Sequence, residues 1–205
     1  MATHYDYIIV GAGSAGCALA SRLTASGEHS VLLLEAGGKD SHPMVHIPLG
    51  FVFTMKNPQF SWCYKSDPEP HMNNRCIDQP RGKLLGGSSS INGMVYIRGQ
   101  REDYDHWAAL GNRGWGYDDL LPIFKRCEHN TGGESDYHGS KGQLWVDNVG
   151  DKYDLSGMYI QAAIESGIPA TDDFNTGNNE GVGYFQVNQR RGFRWSSAKG
   201  FLKPA

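Results

Sequence analysis

The chain has 205 residues, which allows one large domain or one domain and part of another. Its 19 Lys and Arg residues face 22 Asp and Glu residues, and the net charge is −3. This balance excludes a generally cationic nucleic-acid binder and a polybasic membrane patch. Leu, Ile, Val and Phe contribute 41 residues, at the lower edge of globular composition, and the 27 glycines predict many loops and close backbone approaches.

The sequence shows no targeting or membrane-spanning segment. Apolar runs such as 7–10 and 31–34 are far too short to cross a bilayer, and the first residues lack the basic and apolar regions of a signal peptide. The four cysteines, Cys17, Cys63, Cys76 and Cys127, contain no CxxC pair, so no structural zinc site is expected. The histidine pair His42 and His46 lies among prolines that argue against a helix, so no other metal site is expected. We therefore expect a soluble protein in the cytoplasm.

The first predicted elements form a strand, a helix and a second strand. The β-branched run 5–10 predicts a buried strand, and residues 31–34 predict another, which ends at Glu35. Residues 14–26 predict a helix with Ala15, Ala18, Leu19 and Leu23 on one face. Such a unit is parallel and right-handed, so the expected fold class is α/β with a Rossmann-like parallel sheet.

Regular periodicity disappears between Gly37 and Pro80, where six prolines accumulate. A loop of this length is usually a lid or a cover over a ligand. Beyond it the pattern predicts three helices and two strands: helices at 101–110, 118–128 and 155–166, and strands at 143–149 and 182–187.

Near the end of the chain, three arginines form a small basic cluster: Arg190, Arg191 and Arg194. A short cluster of this kind is usually a solvated surface rather than a nucleic-acid site. We therefore expect no nucleic-acid partner.

Residues 11–16 read Gly-Ala-Gly-Ser-Ala-Gly, a G-x-G-x-x-G motif that follows a predicted strand and begins a predicted helix. Gly11 permits the tight turn, Gly13 lets the backbone approach a pyrophosphate, and Gly16 lets the helix pack on the sheet. Glu35, 19 positions after Gly16, can accept hydrogen bonds from a ribose diol. The motif predicts a ligand that contains ADP, without distinguishing NAD from FAD; the alternative is a plain glycine turn.

A second glycine-rich loop lies within residues 81–99. Gly86 and Gly87 precede three serines, and such a loop can pass close to an anion and donate hydrogen bonds to it. The spacing is not G-x-S-x-G, so no hydrolase nucleophile is predicted. Five apolar residues predict that the loop is buried: Leu84, Leu85, Ile91, Met94 and Val95.

The run from Gly82 to Asp105 closely resembles the signature of the glucose–methanol–choline (GMC) oxidoreductases: G-K-x-L-G-G-S-S-x-I-N-x3-Y-x2-G-x5-D. Residues 5–16 and 34–37 resemble the N-terminal FAD-binding motif of that family, and Arg194-x-Ser196-x-Ala198 resembles a later one. Within this family, the chain resembles choline dehydrogenase-like members. The resemblance implies an FAD-binding domain at 1–150, an excursion into a substrate-binding domain at 151–192, and an incomplete return at 193–205. Within the first domain it implies a βαβ unit at 5–35, a flavin-covering loop at 38–80 and the signature at 82–105.

The resemblance also implies which residues contact FAD. The pyrophosphate and ribose would meet Gly11, Gly13, Ser14, Ala15, Gly16, Glu35 and Ala36. The second loop and the covering loop would add Leu85, Gly86, Gly87, Asn92, Gly93, Met94, Val95 and Trp62. Some relatives attach FAD through a histidine of the signature, where this chain has Ile91, so noncovalent FAD is expected.

The resemblance implies oxidation of a small primary alcohol to an aldehyde by hydride transfer to flavin N5, with oxygen or a quinone as electron acceptor. The catalytic histidine pair of the family is expected beyond Ala205, so no catalytic residue is assigned here. The 205 residues are then an N-terminal part, inactive alone, whose partner is the remaining C-terminal part. A nicotinamide-dependent dehydrogenase is one alternative, which would leave residues 81–99 unused, and a noncatalytic FAD-binding fragment is another.

Overall fold

The computed structural model describes residues 4–205. The chain divides into two compact units, which we treat separately. Unit 1 comprises the described chain up to Met94 together with Arg191–Ala205, and unit 2 comprises Val95–Arg190. The segments predicted above at 1–150, 151–192 and 193–205 are defined by the ligand they bind, whereas these units are defined by their compactness. The predicted segments therefore stay a prediction. No helix among residues 4–205 is long and apolar enough to cross a bilayer.

Unit 1 begins with the predicted βαβ arrangement. Strands β1 (Tyr7–Val10) and β2 (Val31–Leu34) are parallel and in register from Tyr7 opposite Val31 to Val10 opposite Leu34. Helix α1 (Ser14–Thr24) connects them. The strand predicted at 5–10 therefore begins two residues later, and the helix predicted at 14–26 ends two residues earlier, shortly before the left-handed Gly27.

The expectation that the first strand is buried is wrong, and the buried face of α1 is not the face that carries its leucines. The side chains of β1 are largely exposed within the described chain, with Val10 84% exposed, because two strands alone cannot cover both faces of a parallel sheet. Leu19 of α1 is 52% exposed. The buried face of the helix carries small residues instead: Gly16, Cys17, Ala20 and Ser21. The reason is the close approach at Gly16, where an added Cβ would lie 2.0 Å from the carbonyl oxygen of Gly11.

The segment predicted as an irregular loop contains short regular elements. They are α2 (Pro43–His46), a 3-10 turn (Pro48–Gly50), α3 (Phe51–Thr54), β3 (Tyr64–Lys65), a second 3-10 turn (Pro70–Met72) and β4 (Asp78–Gln79). Strands β3 and β4 are antiparallel. A proline stands at the first turn of three of the helical pieces, where its missing N–H costs nothing and its fixed φ suits a helix. Three of the six prolines in this segment thus begin helical turns.

Unit 2 contains the remaining predicted helices and several short strands: β5 (Val95–Tyr96), α4 (Arg101–Ala109), α5 (Tyr117–Cys127), β6 (Glu128–Asn130), β7 (Leu144–Val146), α6 (Asp154–Glu165), β8 (Gln186–Val187) and β9 (Gln189–Arg190). β5 pairs with β8 in antiparallel fashion, and β6 with β7 in parallel. The strand predicted at 182–187 is shorter than expected, because Val182, between two glycines, instead forms an isolated bridge with Ala170.

A buried charged cluster lies inside unit 2. Glu128 is fully buried and accepts from Nη2 of Arg98 at 2.7 Å and from Nδ1 of His138 at 2.9 Å. Nε2 of His138 lies 2.7 Å from a carboxylate oxygen of Asp173. Burial lowers the pKa of His138, but the hydrogen bonds to Asp173 and Glu128 outweigh burial and raise it to about 9. His138 is therefore an imidazolium that donates from both nitrogens at neutral pH.

The chain ends in unit 1 with strand β10 (Phe193–Arg194) and one π-helical turn (Ala198–Leu202). The π-helical turn contacts α1. An apolar core cluster also lies in this unit and joins the proline-rich segment to the second glycine loop: Val45, Phe60, Leu84 and Ile91.

Candidate cofactor-binding site

The first glycine turn occupies the space between β1 and α1. Gly11 has a φ of +97°, which favours glycine, and its N–H donates to the carbonyl of Leu34 at 2.7 Å. Gly13 precedes the first turn of α1, and its missing Cβ would point into open space. The N-terminus of α1 therefore has room for an approaching ligand, and its backbone N–H groups and helix dipole favour an anion there.

Glu35 lies directly after β2 and binds the backbone of this turn. Its carboxylate accepts from the N–H of Ala12 at 2.8 Å and from the N–H of Gly37 at 2.9 Å. A carboxylate offers about four lone-pair positions, so two remain for the hydroxyls of a ligand. The two backbone bonds fix the carboxylate beside the glycine turn.

The second glycine loop packs directly on the first. Gly86 and Gly87 both have positive φ, and the N–H of Gly86 donates to the carbonyl of Ala12 at 2.8 Å. A Cβ on Gly87 would lie 2.8 Å from Cα of Gly13, so only glycine allows this approach. A 3-10 turn (Gly87–Ser90) follows. Two loops separated by about 70 residues thus form one backbone surface.

A cavity of about 510 Å³ opens at this junction. Six of the residues predicted to contact the cofactor line it: Gly11, Gly13, Glu35, Ala36, Trp62 and Gly87. Three lining residues were not predicted: Val10, Leu34 and Gly82. Val10 and Leu34 end the two strands of the βαβ unit, and Gly82 begins the GMC-like signature. Their positions in these motifs could have identified them as lining residues from the sequence.

Trp62 forms one wall of the cavity from the proline-rich segment. Its ring is stacked against Tyr64 at a centroid distance of 5.9 Å, and Nζ of Lys83 lies 4.6 Å from its centroid. The side chain is 41% exposed. A partly exposed indole at the wall of a cavity can pack against a planar group of a ligand.

The other predicted contact residues of unit 1 do not line the cavity. Ser14 and Ala15 are exposed in the first turn of α1, and Gly16 packs against the turn. Leu85 is half-buried, and its N–H donates to the carbonyl of Gly38 at 2.9 Å. Gly86 donates to the carbonyl of Ala12 in the first loop. These residues hold the backbone of the two loops together.

The last predicted residues follow the 3-10 turn. Asn92 is exposed, and its Oδ1 accepts from the N–H of Met94 at 3.0 Å. Met94 is buried with a φ of +65°, and the missing Cβ of Gly93 would point into open space. Val95, expected to be buried, is 49% exposed and belongs to unit 2, because β5 presents that side chain outward. None of the four lines the cavity.

The residues around the cavity fit an ADP-containing cofactor. An open helix N-terminus suits the pyrophosphate, a fixed carboxylate suits ribose hydroxyls, and the aromatic wall suits a ring. The cavity volume also lies within the range of small-molecule sites. Fold and site together define a dinucleotide-binding α/β protein.

Comparison with known proteins gives the family. The profile described as GMC oxidoreductase matches residues 5–205, and the chain belongs to this family. It is 48% identical over 200 residues to an oxygen-dependent choline dehydrogenase of Sinorhizobium fredii and 49% identical over 199 residues to an alcohol dehydrogenase [acceptor] of Pseudomonas putida. These alignments cover 98% and 97% of the chain, and the chain spans only 36% of the length of each relative.

The structure supports the same assignment. It matches an FAD-dependent oxidoreductase from Chaetomium thermophilum with a TM-score of 0.89 and 30% identity, over 98% of this chain and 37% of the other. The predicted family, the α/β class of the fold and FAD as the cofactor are confirmed. The contacts of individual residues with FAD and its noncovalent attachment stay predictions.

Proposed function

We propose that this chain is the FAD-binding part of an enzyme that oxidises a primary alcohol to an aldehyde. The observation that carries the proposal is the junction of the two glycine loops. The N–H of Gly86 binds the carbonyl of Ala12, and Gly87 meets Gly13 where the cavity opens. A nicotinamide-binding unit needs only the first of these loops, whereas FAD in this family accounts for both.

FAD is proposed to bind without a covalent link. The family's linking position holds Ile91, which has no nucleophilic nitrogen, and its side chain is 2% exposed. It packs with Val45, Phe60 and Leu84 in the core cluster rather than lining the cavity. A linkage at this position would need both a different residue and a different side-chain direction.

Within the proposal, this chain binds and orients the cofactor. Bound FAD supplies a hydride acceptor at flavin N5. The N-terminus of α1 holds the pyrophosphate, Glu35 holds the ribose, and Gly13 and Gly87 let the backbone approach closely. The relatives' names support a small alcohol as substrate, and they support oxygen or another acceptor such as a quinone for the electrons. We place the reaction in the cytoplasm.

The cofactor and its attachment are tested together on the purified protein. We expect a flavin absorption spectrum and, after acid precipitation, yellow supernatant over a colourless pellet. Flavin retained in the pellet would contradict noncovalent binding. A colourless protein that binds NAD would instead support the nicotinamide-dependent alternative. In the full protein, a flavin that stays oxidised with every primary alcohol, in the absence of oxygen, would favour a noncatalytic FAD-binding protein.

The role of Glu35 gives a prediction about affinity. Glu35→Ala removes a charge-assisted hydrogen bond to the ribose, worth roughly 1.5–3 kcal/mol, and should weaken FAD binding about ten- to a hundredfold. Glu35→Gln should recover part of the affinity, since an amide oxygen still accepts. The measurement is a flavin fluorescence titration of the apoprotein.

Asp6 provides the matched control for Glu35. Its carboxylate also binds backbone, accepting from the N–H of Ser30 at 2.7 Å, but at the opposite end of β1 and β2. Asp6→Ala should therefore leave FAD affinity unchanged. Equal affinities for wild type, Glu35→Ala and Asp6→Ala would show that Glu35 does not bind the ribose.

A further inference from the structure

Arg194 is buried deeply in unit 1, although its sequence context favours a solvated basic cluster. It is 1% exposed and is among the largest fully buried side chains of the described residues. Burial lowers the pKa of its guanidinium to about 10, so the group is still charged at neutral pH. Burial of a charge is unfavourable unless hydrogen bonds or an opposite charge compensate for the water that is lost.

The guanidinium connects two segments that are far apart in sequence. Its Nε donates to the carbonyl of Val45, in the proline-rich segment, at 2.9 Å. Its Nη1 donates to the carbonyl of Ser89 at 3.2 Å and to Oδ1 of Asn92 at 2.8 Å, both in the second glycine loop. Nη2 is buried and has no partner among residues 4–205. The fixed fork of arginine is what allows one side chain to reach these directions at once.

The bond to Asn92 supports a strained backbone. Oδ1 of Asn92 accepts from Arg194 and also from the N–H of Met94, whose φ is +65°. A non-glycine residue in this conformation is strained and persists only where its surroundings hold it. Arg194 fixes the direction of the Asn92 amide, and that amide fixes the turn at Met94.

We infer that Arg194 is a positioning residue for FAD, which holds the loop from Ser89 to Met94 in its binding conformation through Asn92. The inference rests on the proposed function and on the predicted contacts of Asn92 and Met94 with FAD, in a loop that continues from Gly87 at the cavity. It differs from a purely stabilising role in one respect: the loss of the fork should change cofactor affinity through Asn92, not only the free energy of unfolding.

The test is a double-mutant cycle on FAD affinity in the full protein, titrated as apoprotein with FAD. Arg194→Lys keeps the charge but loses the fork, and Asn92→Ala removes the acceptor. We expect each to weaken FAD binding about ten- to a hundredfold. Both substitutions break the same hydrogen bond between Arg194 and Asn92. The Kd of the double variant for FAD should therefore be within about threefold of the Kd of the single variant that binds FAD less tightly. The flavin spectrum of each holoprotein reports the change in its surroundings.

Arg98→Lys is the matched control, since Arg98 is also a buried arginine and its hydrogen bonds lie in unit 2. We expect it to lower the melting temperature with little change in FAD affinity. Independent, multiplicative losses in the cycle would overturn the inference, as would an Arg194→Lys protein that melts earlier but binds FAD normally. Failure of the proposed function looks different, because the wild-type protein would then bind no FAD at all.

Discussion

Gly16→Ala is expected to unfold or severely destabilise the βαβ unit. The new Cβ would lie 2.0 Å from the carbonyl oxygen of Gly11 and 3.3 Å from Cγ2 of Ile9. Both contacts are made by the strand and turn rather than by a flexible side-chain end, so α1 must move away from the sheet. Overpacking of a close contact costs about 1–3 kcal/mol and sometimes more, and we expect a loss at or above the top of that range. Urea unfolding of the apoprotein measures it.

Gly13→Ala separates folding from binding at the same turn. An added Cβ on Gly13 meets nothing within 4 Å, so the apoprotein should fold with at most a modest loss for a poorer helix cap. Its methyl group would occupy the space offered to the pyrophosphate, and FAD affinity should fall. If Gly16→Ala proves as stable as Gly13→Ala, the close approach of α1 to the turn is not real.

The second large effect is expected in unit 2. Glu128→Ala removes the carboxylate that receives hydrogen bonds from Arg98, His138, Asn130 and the N–H of Gly139. Removal of one partner from a buried ion pair typically costs about 3–5 kcal/mol, since the remaining charge is left uncompensated. Here two cations lose their shared partner, so we expect a loss at the upper end. The free energy of unfolding and the melting temperature both report it.

Asp118→Ala is the control for Glu128. Asp118 binds Arg101 through two hydrogen bonds of 2.9 Å, but its side chain is 80% exposed, so its removal should change stability little. Comparable losses for the two variants would contradict the role of the buried cluster.

The cluster also predicts a pH dependence. The pKa of His138 is raised by folding, so its stabilising contribution is complete below about pH 6.5 and is lost as the pH rises through about 9. The melting temperature should fall over this range, and His138→Gln should reduce the decline. A melting temperature equally dependent on pH in wild type and His138→Gln would exclude His138 as the titrating group.

The sequence alone determined the family and the backbone plan of the cofactor site. Gly11, Gly13 and Glu35 could be predicted at the cavity because their roles follow from local geometry: a turn, an open approach and the end of a strand. Strand β2 and the helices α1, α4, α5 and α6 lie within about two residues of their predicted positions. Each of these features depends on neighbours in the chain, which a single sequence shows.

Only the tertiary structure decided burial and long-range pairing. Leu19 is exposed and Ala20 buried, because the contact at Gly16 brings the small face of α1 to the turn, against the usual preference for burying the larger residue. Arg194 is enclosed because its acceptors on Val45 and Asn92 are more than 100 residues away in sequence, and no local pattern encodes them. Periodicity measures which face of an element is apolar, whereas burial depends on which other segment arrives there. The packing of distant segments is set by the whole fold. It buries the guanidinium of Arg194, for which the sequence predicted exposure to solvent.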